Sequence, residues 1–158
     1  MLALALFFGV LAGMVAALVL VIRGVGLVVR WGGRSPAGRL RAVALIVGAG
    51  SVAVYAWGLF CLGMAVLDAE DGGTDSSPVR PCREAGAEVA AHVVGYGVGL
   101  VPLGFECRLA GGGSHTTASV PAYVNPGTAV LGLTGAVCAV LSAGAAGRSS
   151  RRETERLR

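Results

Sequence analysis

Three long apolar runs without any charged side chain constrain the fold of this chain more than any other feature of its sequence. The runs cover residues 1–22, 42–67 and 128–146. An α-helix rises about 1.5 Å per residue, so about 20 apolar residues cross a hydrocarbon core roughly 30 Å thick. Only 14% of the side chains are charged, whereas soluble domains carry about 25%. The sequence therefore predicts a mainly α membrane protein with three transmembrane helices.

A cleaved signal peptide is the alternative interpretation of the first run. Signal peptides carry a positively charged segment before an apolar stretch of about 7–15 residues. Residues 1–22 have no positively charged side chain, and their apolar run is longer than such a stretch. We therefore expect a transmembrane helix here.

The distribution of arginine predicts how the three helices are oriented. Residues 23–41 contain five Arg and no acid, and residues 147–158 contain five Arg and two acids. Residues 68–127 instead contain seven acids and three Arg. Short loops rich in Arg remain on the cytoplasmic side of a membrane. We therefore expect residues 23–41 to form a basic cytoplasmic loop, residues 147–158 a basic cytoplasmic tail, and residues 68–127 an extracytoplasmic domain between helices 2 and 3.

This orientation places the N-terminus outside the cell (plasma) membrane and the C-terminus in the cytoplasm. Both basic stretches flank apolar runs, so the positive charge needs no nucleic acid as a partner. The expected partners are the lipid bilayer and, in addition, another membrane protein or a second copy of this chain.

The outer region has the pattern of a small α+β domain built around a β-hairpin. Residues 84–94 fit a short helix, although their β-branched residues and the glycines that follow also favour a strand. Residues 103–109 have the pattern of a strand. Residues 110–114 (AGGGS) predict a hairpin loop, and residues 115–120 predict the partner strand.

A disulfide between Cys82 and Cys107 is expected to hold this domain together. About 60 residues bury too little apolar surface for much stability, so such domains usually need a covalent link or a metal. These two cysteines lie on the predicted outer side, which is oxidising. Closing a loop of about 25 residues stabilises the folded state by roughly 3–4 kcal/mol through loop-closure entropy.

Two other interpretations of these cysteines remain open. With His92 and His115 they provide the ligand types of a structural zinc site, although the spacings are longer than the close pairs of such sites. A redox-active pair would also use two cysteines, but thiol oxidoreductases use a Cys-x-x-Cys unit, which is absent. We expect neither a bound metal nor a cofactor.

Glu88, His92 and Tyr96 are spaced four residues apart and would share one face if the segment were helical. An acid, a pH-sensitive imidazole and a phenol could contact a ligand there. No nucleophile accompanies them, so we expect no catalytic residues.

Small residues recur at every fourth position in the first and third apolar runs. They are Ala5, Gly9, Gly13 and Ala17, followed by Gly135, Ala139, Ala143 and Gly147. Such ladders allow the backbones of membrane helices to approach closely. We expect these residues to pack helices together, either within one chain or between copies.

Residues 99–126 carry three short motifs. They are Pro-Leu-x-Phe-x-Cys at 102–107, a glycine-rich turn at 111–113, and Val-Pro-x-Tyr-Val-Asn-Pro at 120–126. The segment resembles the outer segment of small, uncharacterised actinobacterial multi-pass membrane proteins. This resemblance implies a similar architecture and origin, and it implies no particular activity.

The expected role is that of a non-enzymatic interaction or structural component. No Asp, Glu, Lys, Arg or His lies inside any apolar run, which argues against an independent ion-coupled transporter. The alternatives are an extracytoplasmic sensing or ligand-binding module and an accessory subunit of a transporter or envelope enzyme. A concave pocket lined by the Glu88 trio would favour sensing, and a flat apolar outer patch would favour a protein partner.

Overall fold

The computed structural model describes residues 1–31, 36–70, 79–84 and 86–156. In chain order the elements are α1 (Leu2–Trp31), α2 (Pro36–Glu70), α3 (Arg80–Arg83), α4 (Ala87–Ala90), β1 (Val93–Leu100), β2 (Leu103–Leu109), β3 (Ser114–Thr116) and α5 (Val124–Arg156). The structure is 72% helical. Residues 32–35 of the predicted basic loop and residues 71–78 of the predicted outer domain lie outside the described residues.

Three of these helices are long and apolar enough to cross a membrane. The qualifying segments are Leu2–Arg30, Pro36–Glu70 and Val124–Gly147, of 29, 35 and 24 residues. A length of 24 residues corresponds to about 36 Å, more than the thickness of a hydrocarbon core. The mainly helical class with three candidate membrane-spanning helices is therefore confirmed.

Each long helix extends past the apolar run that predicted it. α1 continues to Trp31, and α2 already begins at Pro36. α5 begins at Val124 and continues to Arg156. Residues 23–31 and 36–41 of the predicted loop are therefore helical, and α5 continues into the predicted tail as far as Arg156. Arginine and alanine are good helix formers, so a change from apolar to basic side chains does not end a helix.

A three-stranded antiparallel sheet with the order β1-β2-β3 follows α4. The predicted hairpin of β2 and β3 is present. β3 ends at Thr116 rather than at residue 120. Beyond it, the Thr117 hydroxyl bonds the Ser119 hydroxyl at 2.8 Å, and Pro121 has no N–H for a ladder.

β1 is the strand that the sequence left ambiguous. Only the short α4 of the predicted helical segment is helical, and the chain then enters β1. The register slips between Val93 and Gly95, which leaves Val94 as a bulge. β1 pairs with β2 from Gly95 to Leu100, so the glycine-rich stretch is a strand because β2 provides its hydrogen bonds.

The chain divides into two compact units, one of Met1–Ala12 with Val54–Pro126 and one of Gly13–Ala53 with Gly127–Arg158. The first unit contains the sheet, and its core joins α2 to β2. The largest fully buried side chains that the structure describes there are Phe105, Leu62, Val66, Val124, Cys82 and Cys107. The compact unit around the sheet therefore includes the last turns of α2, which the prediction assigned to a membrane span ending at residue 67.

In the second unit, glycine allows close contacts between helices. A Cβ added at Gly24 would lie 2.8 Å from Ile46 Cγ1, and one added at Gly135 would lie 3.3 Å from the backbone nitrogen of Gly48. The Ser51 hydroxyl donates a hydrogen bond to the carbonyl of Thr128 at 2.9 Å. α2 therefore contacts both α1 and α5 within this unit.

Candidate functional site

The predicted disulfide joins α3 to β2. Cys82 and Cys107 are bonded, their Cα atoms lie 5.9 Å apart, and both are buried. α3 begins with Arg80 and Pro81, and proline suits the first turn of a helix because the missing N–H has no partner there. The Cys82 N–H donates to the carbonyl of Val79 at 2.8 Å, which closes the turn that presents the sulfur.

Tyr96 lies on β1, and its half-buried side chain contacts two other elements, β2 and α2. Its ring stacks on Phe105 with ring centroids 5.2 Å apart. Its hydroxyl donates to a carboxylate oxygen of Glu70, near the end of α2, at 3.5 Å. Desolvation raises the pKa of Tyr96, and the negative charge of Glu70 and the hydrogen bond to it raise it further. Tyr96 is therefore a neutral phenol that links the sheet to α2.

Glu88 and His92 lie on the surface at and after α4. His92 Nδ1 donates to the backbone carbonyl of Glu88 at 2.9 Å, while the Glu88 carboxylate is exposed. α4 ends at Ala90, so Tyr96 lies on β1 and not on the helix that the spacing suggested. Glu88, His92 and Tyr96 therefore do not share one helix face, and their use as ligand contacts stays a prediction.

The zinc interpretation loses its sulfur ligands, because the thiols of Cys82 and Cys107 are used by the disulfide. His115 lies on β3 opposite Cys107 and is exposed. In the part of the chain that the structure describes, no three His, Cys, Asp or Glu side chains are grouped closely enough to hold a metal ion.

The turn between β1 and β2, which we call the hairpin tip (residues 100–102), is held by long-range hydrogen bonds. The Tyr55 hydroxyl donates to the carbonyl of Leu100 at 3.0 Å. The side-chain amide of Asn125 accepts from the N–H of Leu103 and donates to its carbonyl, both at 2.9 Å. Asn125 is the second residue of α5, and its side chain thereby ties the start of α5 to β2. Leu100 and Val101 remain exposed beside these contacts.

An amphipathic cleft, which the sequence did not predict, lies between α2 and the segments near the disulfide. We call it the outer cleft, and its volume is about 560 Å³. Phe60, Cys61, Met64 and Ala65 of α2 form its apolar wall. Asp68, Arg80, Glu84 and Ser119 supply the polar part of its lining. A second cavity of about 300 Å³, lined by His115 and the residues after it, shares Pro81, Glu84 and Ser119 with the outer cleft.

The sequence offered no signal for the outer cleft. The residues of its apolar wall resemble those of any membrane-spanning segment. The charged residues of α3 and its C-terminal neighbour are separated from that wall by the residues after α2. α3 and the disulfide bring Arg80 and Glu84 to the end of α2. The described lining residues provide an apolar surface beside one guanidinium and two carboxylates, which can hold an amphiphile.

The residues of the two predicted packing ladders differ in how deeply they are buried. A Cβ added at Gly9 would lie 3.4 Å from Leu59 Cδ1, an ordinary contact distance, whereas Gly135 is buried against the backbone of α2. Gly13 and Ala17 are half-buried. The exposed members of the ladders are Ala5, Ala139, Ala143 and Gly147.

Gly58 is a tighter contact that the sequence did not identify. A Cβ added at Gly58 would lie 2.5 Å from Val124 Cγ1 and 2.7 Å from Leu103 Cδ1. The first of these side chains begins α5 and the second begins β2. Only a glycine in α2 leaves room for both, and no sequence pattern distinguishes this glycine from the others in the run.

These features define a class: a chain with three helices long and apolar enough to cross a membrane and a small disulfide-tied antiparallel sheet. Comparisons with protein-family models, with curated proteins and with solved structures find no match to this chain.

Proposed function

We propose that this protein is a non-enzymatic component of the cell membrane, with its N-terminus outside and its C-terminus in the cytoplasm, that docks on another membrane protein through its outer domain. The observation that carries the docking proposal is the free edge of β1 with its exposed apolar side chains. The orientation rests on the arginine distribution.

The free edge belongs to the longest strand of the sheet. Among the described residues, β1 pairs with β2 alone, so its other edge has unpaired backbone groups. A Cβ added at Gly95 would meet nothing within 4 Å. Exposed apolar residues lie at both ends of the strand, with Val94 70% exposed and Val101 90% exposed. An extended segment of a partner can add to such an edge by main-chain hydrogen bonds.

The domain is also rigid enough to present this edge in one geometry. The disulfide, the Asn125 amide and the Tyr55 hydroxyl each join the sheet to a different segment. A preorganised surface loses less conformational entropy on binding. The motifs that resemble actinobacterial membrane proteins contain Phe105, Cys107 and Asn125, so we propose that those proteins share this outer architecture.

The test is photocrosslinking in the membranes of cells that express the protein. A photoreactive residue at Val94 or Val101 should form a covalent adduct with one defined membrane protein. Thr116, exposed on β3 at the opposite side of the sheet, is the control position and should form none. Adding Val94→Asp to the chain labelled at 101 should abolish the adduct. No adduct at either position, or an equal adduct at position 116, would contradict docking through β1.

A ligand-binding role is the second candidate, because the outer cleft combines an apolar wall with charged groups. Asp68 and Glu84 against the single Arg80 favour an amphiphile with a cationic head. A long-chain alkyltrimethylammonium should then raise the unfolding temperature of the parent. It should have no such effect on the Asp68→Asn, Glu84→Gln double variant. An equal shift in both proteins would reject the cleft as the binding site.

A further inference from the structure

The second compact unit contains a groove between α1, α2 and α5 that neither the docking proposal nor helix packing explains. We call it the arginine groove, and its volume is about 630 Å³, within the range of about 300–1,000 Å³ that ligand sites occupy. The residues that characterise it are Leu27, Arg41, Leu45, Ala139, Ser142 and Ala143.

The groove lies next to a point at which α5 packs closely on α2. Gly135 lies against the backbone of Gly48 and Ala44. One and two turns further along α5, Ala139 and Ala143 are exposed and line the groove instead. Two members of the predicted packing ladder therefore have no helix against them in this unit, and their small side chains leave the space open.

The floor and walls of the groove are apolar. Of the groove residues that the structure describes, Ser142 is the one buried polar side chain, and its hydroxyl donates to the carbonyl of Ala139 at 2.7 Å. In a bilayer such a surface must be covered by a hydrocarbon chain or by another helix. The charge beside the groove decides whether a lipid chain or a helix is the favoured occupant.

Among the described residues that line the groove, Arg41 is the only charged one. Residues 13–53 contain no acid, and the acids of α5, Glu153 and Glu155, lie about 17 Å and about 20 Å beyond Ser142 along the helix. Further positive charge is carried by Arg23 and Arg30 on α1 and by Arg39 on α2. A partner helix would have to supply its own acid, whereas an anionic phospholipid brings a chain and a negative phosphate together.

We propose that the arginine groove holds an acyl chain of an anionic glycerophospholipid whose phosphate pairs with Arg41. The planar guanidinium donates two parallel hydrogen bonds to phosphate oxygens, and the apolar groove takes the chain. A zwitterionic headgroup is disfavoured because its ammonium would lie among the arginines. Basic sites between membrane helices commonly bind anionic lipids in this way. This site is independent of the outer domain and of its docking.

The experiment measures lipid retention by the full-length chain in nanodiscs that contain phosphatidylglycerol and phosphatidylcholine, followed by native mass spectrometry. The parent should retain phosphatidylglycerol selectively. Arg41→Gln removes the charge and Ala143→Leu fills the groove, and each should lower that retention about tenfold, as expected for losing a charge-assisted hydrogen bond or its chain site.

Two matched controls distinguish a site from general attraction. Arg39→Gln removes an exposed arginine two residues away, and Val140→Leu enlarges an exposed side chain of α5 outside the groove. Both should retain the lipid like the parent. Should Ala143→Leu fail to fold, as judged by circular dichroism, Ala146→Leu in the same groove replaces it.

Three results would overturn the proposal. Equal losses from Arg39→Gln and Arg41→Gln would mean diffuse attraction to the basic surface. Unchanged retention by the groove-filling variant would mean that no chain lies in the groove. Displacement of the lipid by glycerol phosphate at equal concentration would mean that the headgroup alone is bound.

Discussion

At the scale of single residues, Gly58 is the position where the packing is least tolerant. It lies in α2 at the point where the first residue of α5 and the first residue of β2 both contact the helix. Val124 is completely buried and Leu103 almost so, which leaves neither side chain space to move.

Gly58→Ala should therefore destabilise the outer domain. Replacing glycine by alanine inside a helix usually stabilises it by about 1 kcal/mol, but overpacking a filled core costs about 1–3 kcal/mol. We expect a lower unfolding temperature and faster proteolysis of the sheet. Gly48→Ala is the matched control, because a Cβ there meets nothing within 4 Å. Equal stability of the two variants would show that Val124 and Leu103 can move apart.

Tyr96 predicts a pH dependence of the same domain. Its folded-state pKa is raised above the usual value near 10, because its neutral form is favoured by desolvation and by Glu70. The stabilisation is complete below the unfolded-state pKa and is lost as the pH rises through the folded-state pKa. Proteolysis of the outer domain should therefore accelerate above about pH 10 in the parent. Tyr96→Phe keeps the ring stacked on Phe105 and should reduce this acceleration. The prediction fails if both proteins respond identically.

At the scale of elements, the disulfide links α3, a helix of only four residues, to the central strand of the sheet. α3 has four residues and no side-chain cap. A helix of that length is unstable alone, so its position next to β2 depends on the covalent bond. Other long-range links in this domain are hydrogen bonds from single side chains such as Asn125 and Tyr55.

Replacing both Cys82 and Cys107 with Ser should open the outer domain while the long helices stay folded. Losing a loop closure of this size costs about 3–4 kcal/mol, comparable to the stability of such a small domain. We expect rapid proteolysis between residues 79 and 120 with little loss of helical circular dichroism. The control replaces the free cysteines Cys61 and Cys138 with Ser. Mass spectrometry without reductant should find the parent two hydrogens lighter than its reduced form. Two free thiols at Cys82 and Cys107 would refute the bond.

At the scale of the whole molecule, the arginine distribution predicts the orientation in the membrane. Basic residues occupy the end of α1, the start of α2 and the end of α5, while the acids are concentrated in residues 68–127. Moving the five arginines of 23–41 across a bilayer would oppose the positive-inside rule.

Single cysteines at positions 34, 75 and 152 test this orientation in a chain whose Cys61 and Cys138 are Ser and whose disulfide is intact. A membrane-impermeant thiol reagent should label position 75 in whole cells. Positions 34 and 152 should react only after the membrane is opened. Labelling of position 34 from outside would reverse the assignment.

The sequence by itself determined the properties that are local along the chain. Uncharged runs of sufficient length specify helices that can cross a membrane, because the hydrophobic effect acts on each residue wherever it lies. The hairpin of β2 and β3 was predictable because a glycine-rich loop separates two strand-like segments. The pairing of Cys82 with Cys107 was predictable because only two cysteines lie between the second and third runs.

Only the tertiary structure decided features that depend on contacts between distant residues. β1 became a strand because β2 lies beside it, and Asn125 near the start of α5 forms hydrogen bonds with Leu103 of β2. The outer cleft and the arginine groove likewise combine segments that are far apart in sequence. The sequence states which side chain stands at each position, but close packing decides which other residues that side chain contacts. At Gly58, for example, a single added methyl group would collide with Val124 and prevent the close contact of α2 with α5.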